Sequence, residues 1–107
     1  MLSIEQRSYL DMGEAVEAAF MVLVASDLPI RERLVSSSSL MCNIREQPAF
    51  GALSTELQQR FMSLGVRFTR YGDYEATIKE YTDDEINSAA RSIVNFRDDF
   101  WKAGLPR

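Results

Sequence analysis

The side chains that could do acid–base or metal chemistry in this 107-residue chain are 16 carboxylates and a single thiol, Cys42, and there is no histidine. Histidine titrates nearest neutral pH and is the commonest metal ligand, so both roles lack their usual residue. One thiol cannot form an intrachain disulfide or a cysteine-rich zinc site. These absences exclude most familiar catalytic and metal sites, and we predict that the protein is not an enzyme and uses no cofactor or metal.

The carboxylates are densest at residues 83–85 and 98–99. Two carboxylates can share acid and base roles only where burial or a like charge separates their pKa values. Neighbouring residues on an exposed helical turn point in different directions and stay solvated, and helix capping explains the first cluster. A carboxylate-based enzyme is therefore only a minor alternative.

The other reactive groups match no catalytic pattern. Four consecutive serines at 36–39 have no histidine base and no nearby lysine, and the five glycines are scattered rather than clustered as in a phosphate loop. No D-x-D-x-D spacing offers a calcium site. Cys42 stands between Met41 and Asn43 in a predicted apolar helix, and we predict a buried structural thiol.

Aromatic and arginine side chains are concentrated in the C-terminal part of the chain, and both types are enriched at the energetic centres of protein interfaces. The alternative is that the aromatics fill the core, which we expect for Phe96 and Phe100. The predicted partner-binding residues are Arg67, Arg70, Tyr71, Tyr74, Arg97 and Trp101. For Tyr71 and Tyr74, cross-strand pairing remains open beside partner contact.

These residues must be positioned by helices, and the first begins after Ser3, with Gln6 completing a capping box. Its apolar face at a 3.6-residue period consists of Tyr9, Met12, Gly13, Val16, Phe20 and Leu23. We interpret Gly13 as a point of close approach. From Ala18 onward the helix is apolar all round, which requires cover from neighbouring helices or a second subunit.

Two further helices precede residue 66. The second restarts at Pro29 and is predicted to run to about Glu46, its serines making it either locally weak or suited to close packing. The third extends from Ser54 or Thr55 to Leu64, where Gly65 fits a C-terminal glycine cap.

Residues 66–81 are predicted to form a β-hairpin. Residues 66–71 are β-branched, aromatic and partly alternating, and Gly72-Asp73 fits a two-residue turn. This pairing would place Arg70 opposite Glu75. The competing interpretation is a short helix that is capped by Asp73 and runs through Lys79.

The final helix has the strongest local signals. Thr82 and Glu85 form a capping box, and Gly104 and Pro106 end the helix. Its buried seam comprises Ile86, Ala89, Ile93, Phe96 and Phe100. A second apolar strip contains Val94 and Trp101, and with the apolar end of the first helix it predicts a homodimer.

The predicted fold is therefore a mainly α single domain over residues 1–107, with four helices and a β-hairpin at about 66–81 before the C-terminal helix. Its element order loosely resembles the helix–wing–helix segment of dimeric bacterial winged-helix regulators. The residues that carry this resemblance are Leu53, Ser54, Thr55, Glu56 and Leu57, then Leu64, Gly65, Val66 and Arg67, then Tyr81 and Thr82. The resemblance implies wing contacts from Arg67 and Arg70 to DNA phosphates, and base contacts from Gln58, Gln59 and Arg60.

The net charge of −4 argues against a nucleic-acid partner, because no segment is strongly basic. The longest apolar run, residues 18–25, is too short to span a bilayer, and Glu5 and Asp11 occupy the region where a secretion signal would be basic and then apolar. We predict a small cytoplasmic regulator or inhibitor that binds another protein, does not bind a membrane, and forms a homodimer. A winged-helix-like DNA-binding regulator is the alternative.

Overall fold

The computed structural model describes residues 2–103, and this part of the chain is helical without a strand. Its five α-helices are α1 (Ile4–Ala25), α2 (Ile30–Leu40), α3 (Thr55–Phe68), α4 (Tyr74–Glu80) and α5 (Asp83–Ala103). Two short 3₁₀ segments, Ile44–Glu46 and Pro48–Ala52, lie in the connection between α2 and α3. The mainly α prediction is confirmed, with five helices rather than four among the described residues.

The two long helices follow their local signals. Ser3 caps α1 in a capping box with Gln6, as predicted. Thr82 and Glu85 make the same reciprocal bonds at the start of α5, with N···O distances of 3.2 and 3.0 Å. All five predicted seam residues of α5 are buried. The predicted end at Gly104 and Pro106 lies outside the described residues.

The serines of α2 allow close packing against α1. Ser37 is fully buried, and its hydroxyl donates to the carbonyl of Ala19 at 2.8 Å. The helix ends at Leu40 rather than at Glu46, because the chain tightens into i+3 hydrogen bonds there. Ser8 of α1 then holds the following connection, since its oxygen accepts a hydrogen bond from the amide of Ala49 at 3.0 Å.

The prediction of a β-hairpin over residues 66–81 is wrong. Helix α3 continues through Gly65 to Phe68, because Leu64 and Phe68 extend its buried face. Their burial in the core stabilises the fold more than their exposure in a hairpin would. Gly72, at φ +120°, reverses the chain. Asp73 caps α4 by accepting from the amide of Ala76 at 2.8 Å, so the short-helix alternative is the one observed.

Helix α4 is positioned by side chains from other helices. Arg31 of α2 donates to the carbonyls of Ile78 and Tyr81, both at 2.8 Å, and so occupies acceptors at the C-terminal end of α4. The hydroxyl of Tyr81 donates to the carbonyl of Arg67. These bonds join α4 to α2 and α3.

An aromatic layer joins α1, α3 and α5. The rings of Tyr9 and Phe100 stack with centroids 4.5 Å apart, and the Tyr9 hydroxyl donates to the carbonyl of Phe100 at 2.7 Å. Burial raises the pKa of Tyr9. Phe96 and Phe61 continue the layer, with ring centroids 5.8 Å apart. Phe96 and Phe100 are buried and belong to the core, as expected. Within residues 2–103, no helix is long and apolar enough to cross a membrane.

Candidate binding groove

An open apolar groove of about 340 Å³ lies between the end of α2, one side of α3 and the start of α4. We call it the α3 groove. Its lining includes Met41, Cys42 and Arg45 after α2, Phe61, Met62 and Val66 on α3, and Tyr74 on α4. Pockets for small ligands and peptide side chains are of this size and apolar character.

The α3 wall of the groove carries apolar side chains on the outside of the protein. Met62 is 38% exposed and Val66 is 72% exposed, and they lie one helical turn apart. Phe61 and Leu64, which face the core, are needed for packing, whereas Val66 is largely exposed and Met62 is partly exposed. This pair is an apolar ridge along the edge of the groove.

The opposite rim carries the single thiol. Cys42 is exposed, so the prediction of a buried structural thiol is wrong. It follows α2 in a turn rather than lying inside an apolar helix, and the turn directs Met41 inward instead. Burial raises the pKa of Tyr74 on the neighbouring wall, and the charge of an ionised Cys42 raises it further.

Arg45 is the one charged side chain lining the groove within the described part of the chain. It forms no ion pair with any other residue of 2–103. The hydroxyls nearby are already used, since Thr69 donates to the carbonyl of Gly65 at 2.7 Å and Ser38 to that of Leu34 at 2.9 Å. The groove is therefore apolar with one uncompensated positive charge at its rim.

Of the predicted partner-binding residues, Tyr74 alone lines this groove. Tyr71 is 51% exposed in the turn before α4. Arg67 and Arg70 lie on the other side of the α3 ridge, where Arg67 donates to the Ser88 hydroxyl at 2.6 Å. Arg70 is 3.7 Å from Glu85 rather than opposite Glu75, because residues 74–80 are helical.

Arg97 and Trp101 form a separate cluster between α5 and α1. Arg97 Nε and Trp101 Nε1 each donate to Glu17 Oε1 at 2.7 Å, and the guanidinium lies 4.2 Å from the ring centroid of Phe20. The hydrogen bond from Arg97 is the main cause that lowers the pKa of Glu17. The six predicted residues therefore do not form one site.

The two dense carboxylate clusters do not converge. Asp98 contacts Arg97, and Asp99 pairs with Arg60 across a polar cleft of about 560 Å³ between α3 and α5. The Glu85 carboxylate accepts a hydrogen bond from the backbone amide of Thr82, and this bond lowers the pKa of Glu85. Among residues 2–103, no group of three carboxylate or thiol side chains could hold a metal ion.

The groove residues that sequence reasoning missed are Met41, Cys42, Arg45, Met62 and Val66. The available signal is the four-residue spacing of Met62 and Val66 on the otherwise polar side of α3, and the strand prediction for residues 66–71 obscures it. Comparison of the chain with protein-family models, with curated proteins and with solved structures found no match.

Proposed function

We propose that the protein is a non-catalytic binding protein that takes a short helical segment of a partner protein into the α3 groove. The observation that carries this proposal is the exposed Met62–Val66 ridge beside an apolar groove. Amphipathic helices commonly dock in such grooves through apolar side chains one turn apart. A small cytoplasmic regulator or inhibitor would act in this way.

The charge at the rim favours an acidic segment. A carboxylate on the bound helix could pair with Arg45, which no acidic side chain of residues 2–103 compensates. Such complementarity would fix the direction of the segment and raise its association rate. The expected motif is two apolar residues three or four apart with an aspartate or glutamate at one end.

The DNA-binding alternative loses its structural support. The wing of a winged-helix domain requires a hairpin, and residues 66–68 and 74–80 are helical. Arg67 and Arg70, the expected phosphate contacts, are engaged with Ser88 and Glu85. No second function is therefore proposed from these residues.

The experiment uses Cys42 as a built-in reporter. Peptides are selected against the full chain from a displayed library of helical sequences, and each is then tested for protection of Cys42 from a thiol-specific chromogenic reagent. Because Cys42 is exposed at the rim, a peptide seated in the groove should slow its modification at least tenfold at saturation. Met62→Glu and Arg45→Glu should each weaken peptide binding at least tenfold.

The matched control is Met21→Glu, which adds the same charge at an exposed methionine of α1 outside the groove and should leave binding unchanged. The proposal is overturned if the selected peptides bind without protecting Cys42, or if both groove variants bind them normally. It is also overturned if no peptide binds while decanoate protects Cys42, because the groove is then a small-molecule site.

A further inference from the structure

A second exposed apolar surface runs along α1 and α5, and we call it the α1/α5 face. On α1, residues 10, 21 and 24 recur at spacings that keep them on one side of the helix, and Leu28 lies three residues beyond the helix end. Leu10, Met21, Val24 and Leu28 are 37–53% exposed. Trp101 of α5, 37% exposed, borders the same surface.

The two helices run antiparallel across this face. Trp101 contacts Gly13, and Arg97 bonds Glu17 four residues further along α1. The same progression brings Val94, which is half-buried, level with residues 19–20 of α1. The face is thus one continuous surface on two packed helices and shares no residue with the α3 groove.

The central cation of the face, Arg97, is paired within the chain. It donates two hydrogen bonds to Glu17 and also lies 3.3 Å from Asp98. The exposed Glu14, four residues after Leu10, adds a carboxylate nearer one end of the face. A self-association surface meets its own charges, so an uncompensated charge at its centre would face a like charge. Arg97 is therefore already paired within each copy, whereas Arg45 at the α3 groove forms no ion pair within residues 2–103.

The residues at its edges are complementary to themselves under a two-fold rotation. A two-fold axis that lies in the plane of the face and crosses α5 level with Val94 sets Arg91 of each copy opposite Asp98 of the other. The interface therefore contains this pair twice. The same axis crosses α1 at residues 19–20, which sets α1 antiparallel to its counterpart with Met21 and Val24 near the axis. Arg91 and Asp98 are both exposed, and Asp98, which lies 3.3 Å from Arg97 through one oxygen, keeps its other oxygen for a second arginine.

We propose that a second copy of this chain docks on the α1/α5 face, with α5 antiparallel to its counterpart and Arg91 paired with Asp98 across the interface. The proposal is independent of the α3 groove. The dimer would leave both grooves free, and it would cover the apolar side chains that α1 exposes beside α5.

Sedimentation velocity over a dilution series of the full chain tests the proposal. We expect a reversible monomer–dimer equilibrium, and Val24→Glu should raise the dissociation constant at least tenfold because it places a charge in the apolar part of the face. Arg91→Asp and Asp98→Arg should each weaken the dimer. The double variant with both changes should restore it, because the charges are then exchanged on both copies.

Val66→Glu is the matched control, since it adds the same charge at an exposed valine of the α3 groove and should leave the dimer unchanged. Circular dichroism verifies that every variant is folded. A wild-type protein that stays monomeric throughout overturns the proposal, and so does a dimer that tolerates Val24→Glu. A charge-exchanged double variant that remains as weak as the singles overturns the two-fold pairing.

Discussion

The contact between Gly13 and Trp101 tests how α1 and α5 are held together. A Cβ atom at residue 13 would lie 2.5 Å from Cη2 and 2.9 Å from Cζ2 of the indole, which is closer than real Cβ contacts. In Gly13→Ala the ring must therefore move. A displaced ring also loses the hydrogen bond from Nε1 to Glu17, which is 2.7 Å long in the native fold.

The expected cost combines three contributions. Overpacking costs about 1–3 kcal/mol, and the lost hydrogen bond of this partly exposed pair costs about 1 kcal/mol. Against these losses, alanine stabilises a helix interior by about 1 kcal/mol relative to glycine. The net expectation is a loss of about 1–3 kcal/mol in the free energy of unfolding, since the hydrogen-bond and helix-propensity contributions cancel, and it is measured by urea denaturation at one fixed protein concentration.

Gly65→Ala is the matched control. Gly65 also lies inside a helix, but a Cβ there would meet nothing within 4 Å. The same substitution should therefore stabilise the protein by about 0.5–1 kcal/mol. In a Trp101→Ala background, Gly13→Ala should become stabilising as well, because the ring that it displaces is gone.

Three results would refute this reasoning. A neutral or stabilising Gly13→Ala in the wild-type background means that the indole does not lie over Gly13. A Gly13→Ala that still destabilises the Trp101→Ala background means that another neighbour is responsible. A Gly65→Ala that destabilises by about 1 kcal/mol means that Gly65 has a left-handed conformation and that α3 ends there.

Further changes test α4, the aromatic layer and the Glu17 cluster. Asp73→Ala should cost about 1 kcal/mol in urea denaturation because it removes the side-chain cap of α4, and Asp73→Ser should restore most of the loss. Tyr9→Phe should cost about 1 kcal/mol, because the carbonyl of Phe100 loses a buried donor. Glu17→Gln should destabilise the protein at pH 7, since the folded-state pKa of Glu17 is lowered by Arg97. Its ionised form is stabilising above the unfolded-state pKa, and that contribution disappears as the pH falls through the lower folded-state pKa. Thermal unfolding of wild type and Glu17→Gln should therefore converge at low pH.

The sequence predicts elements whose signals are local. The capping boxes at Ser3 and Thr82 act within four residues, and the seam of α5 repeats along a single helix. The error at residues 66–71 arose because β-branched and aromatic residues favour a strand. The continuing spacing from Leu57 through Leu64 to Phe68 favoured a helix and decided the structure, because this face is buried against the core.

The two surfaces depend on contacts between distant residues, which a single sequence does not reveal. Cys42 and Val66 share a groove only because the connection after α2 folds against α3. Arg97 bonds Glu17, 80 residues earlier, and no local pattern around Arg97 indicates this contact. Arginine and aromatic density is typical of protein interfaces, but it does not distinguish contacts within the chain from contacts to another protein.

Helix α4 has only seven residues, too few for a helix to persist in water by its own hydrogen bonds. The helix is stabilised by hydrogen bonds from Arg31 at its C-terminal end and to Asp73 at its N-terminal end. Its opening should therefore require less free energy than global unfolding, and amide exchange in α4 should be faster than in α5. Since Tyr74 belongs to both α4 and the α3 groove, a ligand that contacts Tyr74 would slow that exchange, which links occupancy of the groove to the local melting of one helix.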